Sequence, residues 1–483
     1  MKMVACINLQ SKSLKHLVAK AALKPLVFMR KLLQISMLAS LLMLAGCSTF
    51  TELASDLKDK ALGKAPANPP AALEEIKPSY TAKVDWSSQI GVTNRYDFTP
   101  VLEAGAIFGA NAAGELVKLE ASTGKQLWRV NVGEPISGGV GVGGGLVLVG
   151  SSKGNILAYD FNGKPQWKAK VSSEVLSAPR FFDGLVIART GDNHIFGLDA
   201  ADGSRKWVYE RTSPALSLRS SAGITVDGGA VYAGFAGGKM VAIRADNGNI
   251  LWEATVSQPK GVTEIERISD ITSLPICDGP VVYAVAYQGR IAAIDRTNGK
   301  VVWNRDISSY SGLNAEAGKV FVSHTLGAIY AIDYDTGKTF WRQGELTNRN
   351  LTAPLPMGSL VAVGDLEGYI HFLSRDSGTF SSRIKIDGNP VMSLIAGNTS
   401  SQLIAATRGG GLYAISLSEA NATTTAPTKR DEPVQQPSKS EPTQTETNEP
   451  TTERSIMFKN DSILLPESPA PSGPGIKLPN PEQ

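Results

Sequence analysis

Cysteine is scarce in this chain, at three in 483 residues, and the three are placed so that none has a partner in the mature protein. Cys6 and Cys47 lie near the N-terminus and Cys277 stands alone in the body, so a disulfide framework is excluded and packing must hold the fold. Cys277 ends the apolar run Leu274–Cys277, where a small buried hydrophobe is expected and not a reactive thiol. Histidine is also rare. Only His194, His324 and His371 follow residue 46, in different phases of different repeats, whereas a metal site needs converging ligands. They are expected to be structural. No apolar run reaches the roughly 20 residues of a membrane-spanning helix. Charge of one sign is lacking as well. Residues 1–46 carry seven Lys/Arg and no Asp/Glu, which leaves 41 basic against 45 acidic residues in 47–483, a formal −4. A mildly acidic body lacks the basic footprint of phosphate-backbone binding, so nucleic acid is not an expected partner.

The basic N-terminus reads as a signal. Arg30 and Lys31 precede an apolar run from Leu32 to Leu44, followed by Ala45, Gly46 and Cys47. That order is a secretory signal peptide over 1–46, with Met29 a candidate start. The small residues before Cys47 resemble a bacterial lipobox, which implies lipidation of Cys47. Ser48, and not Asp, follows it, which by the same resemblance implies an outer-membrane lipid anchor facing the periplasm.

What the chain has in quantity is glycine, 48 residues, and a repeat that accounts for nearly every tryptophan. The unit is Gly, an alternating apolar run, a turn with Gly-Lys, then Trp. It runs from Gly114 to Trp128 and recurs from Gly238 to Trp252, Gly289 to Trp303 and Gly327 to Trp341. Gly154 to Trp167 is one residue shorter, Asn193 to Trp207 starts with Asn, Gly368 to Ser382 loses the Trp, and a copy beginning at Gly411 stops before any Trp. Around Ile291–Asp295 both faces of the run are apolar, as in a strand between neighbouring sheets. Asp160, Asp199, Asp295 and Asp333 occupy equivalent positions, which marks them as turn residues. Four short strands every ~42 residues make a propeller blade. Trp86 has no repeat before it. A strand Lys83–Trp86 that completes the blade begun at Gly411 would close the ring and remove its open edge. The expected fold is all-β, an eight-bladed propeller over 80–418.

Outside the ring, residues 47–79 are expected to be a lipidated tether and 419–483 a disordered tail rich in Pro, Thr and Glu, with 11 of the 27 prolines in 421–483. Two motifs are declined. Gly139–Gly144 matches G-x-G-x-x-G and Gly150–Gly154 matches G-x-S-x-G, but each chemistry needs a following helix and both precede strands.

The Trp-ended unit resembles the repeat of pyrroloquinoline-quinone (PQQ) propellers, whose dehydrogenases carry catalytic acids, calcium ligands and often an adjacent-Cys disulfide that are missing here. Lipobox, tether and compact ring together resemble the BamB family, lipoprotein subunits of the outer-membrane β-barrel assembly (BAM) machine, over residues ~47–418. The segments Pro214–Arg219 and Thr263–Asp270 carry that resemblance most specifically. It implies contacts to the periplasmic POTRA domains of BamA through Leu216, Leu218, Arg219 and Asp270. A second family acid, two residues after Asp270, is Thr272 here, which weakens the acidic half of that contact.

Spacing points to the same segments. From each Trp to the next unit is 26, 26, 31, 37, 24 and 27 residues, and the two longest intervals, after Trp207 and Trp252, contain them. On spacing alone, Leu216 and Leu218 fit equally well a binding loop or the start of a core strand. The resemblance implies a non-catalytic scaffold without cofactor that assists assembly and insertion of outer-membrane proteins, with unfolded clients as further candidate partners. A PQQ-dependent periplasmic dehydrogenase and a cell-wall-binding propeller are the alternatives.

Overall fold

The computed structural model describes residues 68–420, except Ser213 and Ala215. Strands run from Tyr80 to Glu419 in eight four-stranded antiparallel sheets. Blades 1 to 7 are consecutive, spanning 101–131, 136–170, 180–209, 224–255, 276–305, 313–343 and 355–385. Blade 8 takes three strands from 391–419 and its outermost strand, Tyr80–Gln89, from the start of the ring.

Blade 5 shows why the sequence builds this unit. Its middle strands, Val281–Val285 and Ile291–Asp295, are buried on both faces, as their unbroken apolar runs require. The outer strand, Val301–Arg305, buries only Trp303 fully. Between the third and fourth strands Asp295 Oδ1 accepts the Thr297 amide at 2.8 Å, and Gly299 turns the chain at φ +74°. Asp160, Asp199 and Asp333 do the same in their own blades. A register shift then falls just before the Trp, between Ala293 and Ile294, and re-aims its ring.

Each Trp reaches into the next blade. The Trp252 indole donates to the Arg296 carbonyl at 2.8 Å and lies so close to Gly299 that a Cβ there would sit 2.7 Å from the ring. The same clasp joins Trp86 to blade 1, Trp128 to blade 2, Trp167 to blade 3, Trp207 to blade 4, Trp303 to blade 6 and Trp341 to blade 7. The interface between blades 7 and 8 has Ser382 at the Trp position. There Tyr80, Ala82 and Val84 of the closing strand pack with Met357, Leu360 and Phe372, and the Tyr80 hydroxyl meets Ser359 Oγ at 3.1 Å.

Residues 69–79, assigned above to the tether, lie along blades 6 and 7. The Ala71 amide donates to the Thr347 carbonyl at 2.9 Å and the Ser79 amide to the Ser381 carbonyl at 2.9 Å. Arg349 and Arg383 donate to the carbonyls of Ala71 and Glu74 at 2.7 and 2.8 Å. Leu73 packs on the cluster of Phe321, Trp341 and Leu373. Both arginines belong to a buried network. Asp365, fully enclosed, accepts from Arg349 Nε at 2.7 Å and pairs with His371 Nε2 at 2.9 Å, while Arg383 Nε donates to His371 Nδ1 at 3.0 Å.

Seven of the blades and the connection into blade 4 line one central cavity of about 600 Å³. The connections from each outer strand to the next blade share one face of the ring with the turns between second and third strands, which follows from four-stranded antiparallel order. That face is called the connection face below.

Candidate partner-binding face

The two longest connections are 210–223, from blade 3 to blade 4, and 256–275, from blade 4 to blade 5. The inner strand of blade 4 begins only at Ile224, so Leu216 and Leu218 precede it and do not alternate into the core. Their exposures are 43% and 37%, high for leucine on a built loop. Asp270 lies 4% exposed beneath them. One of its carboxylate oxygens accepts the Leu218 amide at 2.7 Å and the other the Gly237 amide at 3.0 Å, and its carbonyl accepts the Tyr287 amide at 2.8 Å. The acid therefore fastens the two long connections to each other and to the turns of blades 4 and 5. It holds Leu218 in place, with one amide on each carboxylate oxygen.

Arg219 turns the other way. Its guanidinium makes a two-pronged pair with Glu174, both contacts 2.8 Å, and sits 5.8 Å from the Tyr96 ring centre. This pairing holds the Glu174 carboxyl below its usual range and the Arg219 guanidinium above its own. Two residues on, the Ser221 hydroxyl donates to Asp97 at 2.7 Å. The connection thus crosses from blade 4 to the approach of blade 1, beside the mouth of the central cavity.

The second connection carries two exposed apolar residues that sequence reasoning passed over. Val262 is 96% and Ile265 68% exposed. Between them Thr263 and Glu266 form a reciprocal cap: Glu266 Oε2 accepts the amides of Val262 and Thr263 at 2.8 and 3.1 Å, and Thr263 Oγ1 accepts the Glu266 amide at 3.2 Å. The T-x-x-E spacing was the available signal. Thr272, in the position of the second family acid, donates its hydroxyl to the Tyr310 carbonyl at 3.1 Å. Glu174 and Tyr96 had no sequence signal, since each meets Arg219 only through the ring.

The remaining candidates sit as structural parts. Gly139 to Gly143 lie in the inner strand of blade 2, where a Cβ on Gly141 would lie 1.9 Å from the Pro179 carbonyl of blade 3. That approach is why the run is glycine-rich. Ser152 falls in the turn between two strands of blade 2. His194 stands beside Asp192 and Glu210, and His324 accepts the Leu326 amide at 3.0 Å. Cys277 is half-buried, and burial pushes its thiol up to about 12. Cys47, the signal segment and residues 421–483 lie outside the described residues.

Comparison with known proteins gives a consistent result. The family profile described as "Outer membrane protein assembly factor BamB" matches residues 112–343. The chain is similar to outer membrane protein assembly factor BamB of Burkholderia pseudomallei strain K96243, 40% identical over 347 residues that cover 71% of this chain and 90% of the relative. Among solved structures it is similar to BamB from Moraxella catarrhalis, at TM-score 0.64 and 27% identity, covering 70% of this chain and 100% of that one. A quinohemoprotein alcohol dehydrogenase from Comamonas testosteroni shares the fold at TM-score 0.56 and 15% identity, over 69% of this chain and 76% of that one.

Proposed function

This chain belongs to the BamB family of outer membrane protein assembly factors, and from that membership we propose a non-catalytic scaffold of the BAM machine. It docks on the POTRA domains of BamA through the connections 210–223 and 256–275 and thereby assists assembly and insertion of outer-membrane β-barrel proteins. Lipidated Cys47 tethers the ring to the outer membrane on its periplasmic side.

The observation that carries the docking reading is the Asp270–Leu218 bond, 2.7 Å long between residues 52 apart. It holds an exposed leucine in place through a buried acid, so the apolar side chain is pre-organised before any partner arrives. A small interface with apolar anchors, a polar surround and little ordering cost on binding has this construction. Arg219, already paired with Glu174, serves as part of the polar rim.

The test is the affinity of the full-length protein in detergent for the periplasmic domains of BamA, wild type against Leu216→Ala/Leu218→Ala/Arg219→Ala. Anchors of this kind are worth about 1–2 kcal/mol each, so a folded triple variant is expected to bind at least ~30-fold more weakly. Undiminished binding would remove the site from this face, and absence of binding by wild type would remove the partner.

A further inference from the structure

The central cavity contains a cation without a counter-charge. Arg180 opens the inner strand of blade 3, Arg180–Phe182, and lines the cavity. Among the described residues its guanidinium makes no hydrogen bond or ion pair. Its neighbours offer it none: blade 2 lines the cavity with Gly139 and Val140, and the connection into blade 4 with Gly223 and the Ser221 hydroxyl that is committed to Asp97. Asp97 is the only acid in the lining, and it belongs to the connection at the mouth. Burial depresses the Arg180 pKa, which expresses the same desolvation. The side chain is half-buried, and an arginine cannot shed its charge at ordinary pH, so a partly desolvated guanidinium without a counter-charge favours an anion beside it.

The rest of the lining suits an oxyanion. Thr99, Ser177 and Asn314 add hydroxyl and amide groups to the lining, and Arg408 is its other cation. A guanidinium and polar groups lining one space of about 600 Å³ match the size and make-up of a small-molecule site. We propose that the central cavity is a binding site for a small carboxylate- or phosphate-bearing molecule, with Arg180 as its anchor. The cavity shares Ser221, Gly223, Thr272, Ser273 and Leu274 with the two connections, but Arg180 lies in neither, and the anion site stands whether or not they bind BamA.

The experiment is calorimetric titration and thermal denaturation of the full-length protein with citrate and with inorganic phosphate, each against chloride at equal ionic strength. Saturable 1:1 binding is expected, with a rise in melting temperature that chloride does not reproduce. The stronger of the two probes identifies the ligand as carboxylate or phosphate. Arg180→Gln is expected to weaken binding at least tenfold and Arg180→Lys to retain part of it. Without the anion, neither variant should melt below wild type, because the half-buried Arg180 side chain makes no hydrogen bond or ion pair among the described residues. Arg408, the exposed second cation of the lining, serves as the control. Loss of binding in Arg408→Gln but not in Arg180→Gln would overturn the proposal, as would equal responses to citrate, phosphate and chloride.

Discussion

The indole nitrogen of Trp86 donates to the carbonyl of Ala121 at 3.0 Å, and with that bond the last blade of the ring grips the first. Trp86 is 8% exposed and its ring lies against Gly124, as every other Trp lies against the turn glycine of its neighbour. Trp86→Ala should therefore cost as much as loss of an internal clasp, about 3–5 kcal/mol for a buried Trp. Urea denaturation of Trp86→Ala beside Trp303→Ala checks this, and deletion of 81–90 should lower the stability of all blades together. An unchanged transition in the deletion would contradict closure through this strand.

The clasp has a reciprocal half. Gly299→Ala places a methyl 2.7 Å from the Trp252 ring at a φ of +74°. The backbone conformation alone costs an L-residue roughly 1–2 kcal/mol, and the ring must also move. The expected result is destabilisation by at least ~2 kcal/mol, with a change in Trp fluorescence. Gly105→Ala is the comparison, because its φ is +73° but nothing lies within 4 Å of the added methyl.

His371 should make stability depend on pH in one direction. Arg383 donates to Nδ1, so the imidazole is neutral and its Nε2 proton goes to Asp365. Burial holds its pKa below the ordinary 6.5. The unfolded chain then takes up the proton more readily, so this contribution is complete above pH 6.5 and is lost as pH falls through the lowered native value. A glutamine amide accepts from Arg383 and donates to Asp365 without titrating. His371→Gln should flatten the fall in unfolding free energy between about pH 7.5 and about pH 5.5. Identical slopes in the two proteins would assign the pH dependence elsewhere.

Asp270→Asn should impair BamA binding through Leu218. One of the two amides now facing carboxylate oxygens, Leu218 or Gly237, would face an NH2 group, and a buried donor left unsatisfied costs about 1–3 kcal/mol. Hydrogen exchange at the Leu218 amide should quicken while blade cores keep their protection. Weaker binding with unaltered exchange would mean that Asp270 touches the partner itself.

Cys277 should resist alkylation. Its thiol is half-buried and raised to about 12, so at pH 8 almost no thiolate exists. Intact-mass measurement with iodoacetamide should show Cys277 unmodified until the ring is denatured.

The ring was readable because each blade repeats a short pattern. Trp303, Gly299 and Asp295 lie within one turn of chain, and their spacing alone predicts strand, turn and clasp. Trp86 was readable by its excess: a Trp without a repeat needed a blade, and Ala414 is its partner. Connection length marked where the chain carries extra residues between blades, at 210–223 and 256–275. What connection length does not convey is the bonding across the ring. Arg219 meets Glu174, Ser221 meets Asp97 and Arg349 meets Ala71, over 45, 124 and 278 residues. Closure brings those pairs together, and no local pattern announces them. For the same reason no local pattern announces the bonds from Leu218 and Gly237 to Asp270.

The run of residues 69–79 across blades 6 and 7 also decides how the ring bears a mechanical load. A pull on the chain ahead of Pro69 meets the bonds from Asn348, Arg349 and Thr347 first, then Arg383, before it can reach the closing strand at Tyr80. That strand in turn is paired along its length with Gly411–Glu419, so a pull along it must shear nine residue pairs at once instead of unzipping them singly. A load on the chain ahead of Pro69 is therefore spread over blades 6 and 7 before it reaches the strand that closes the ring.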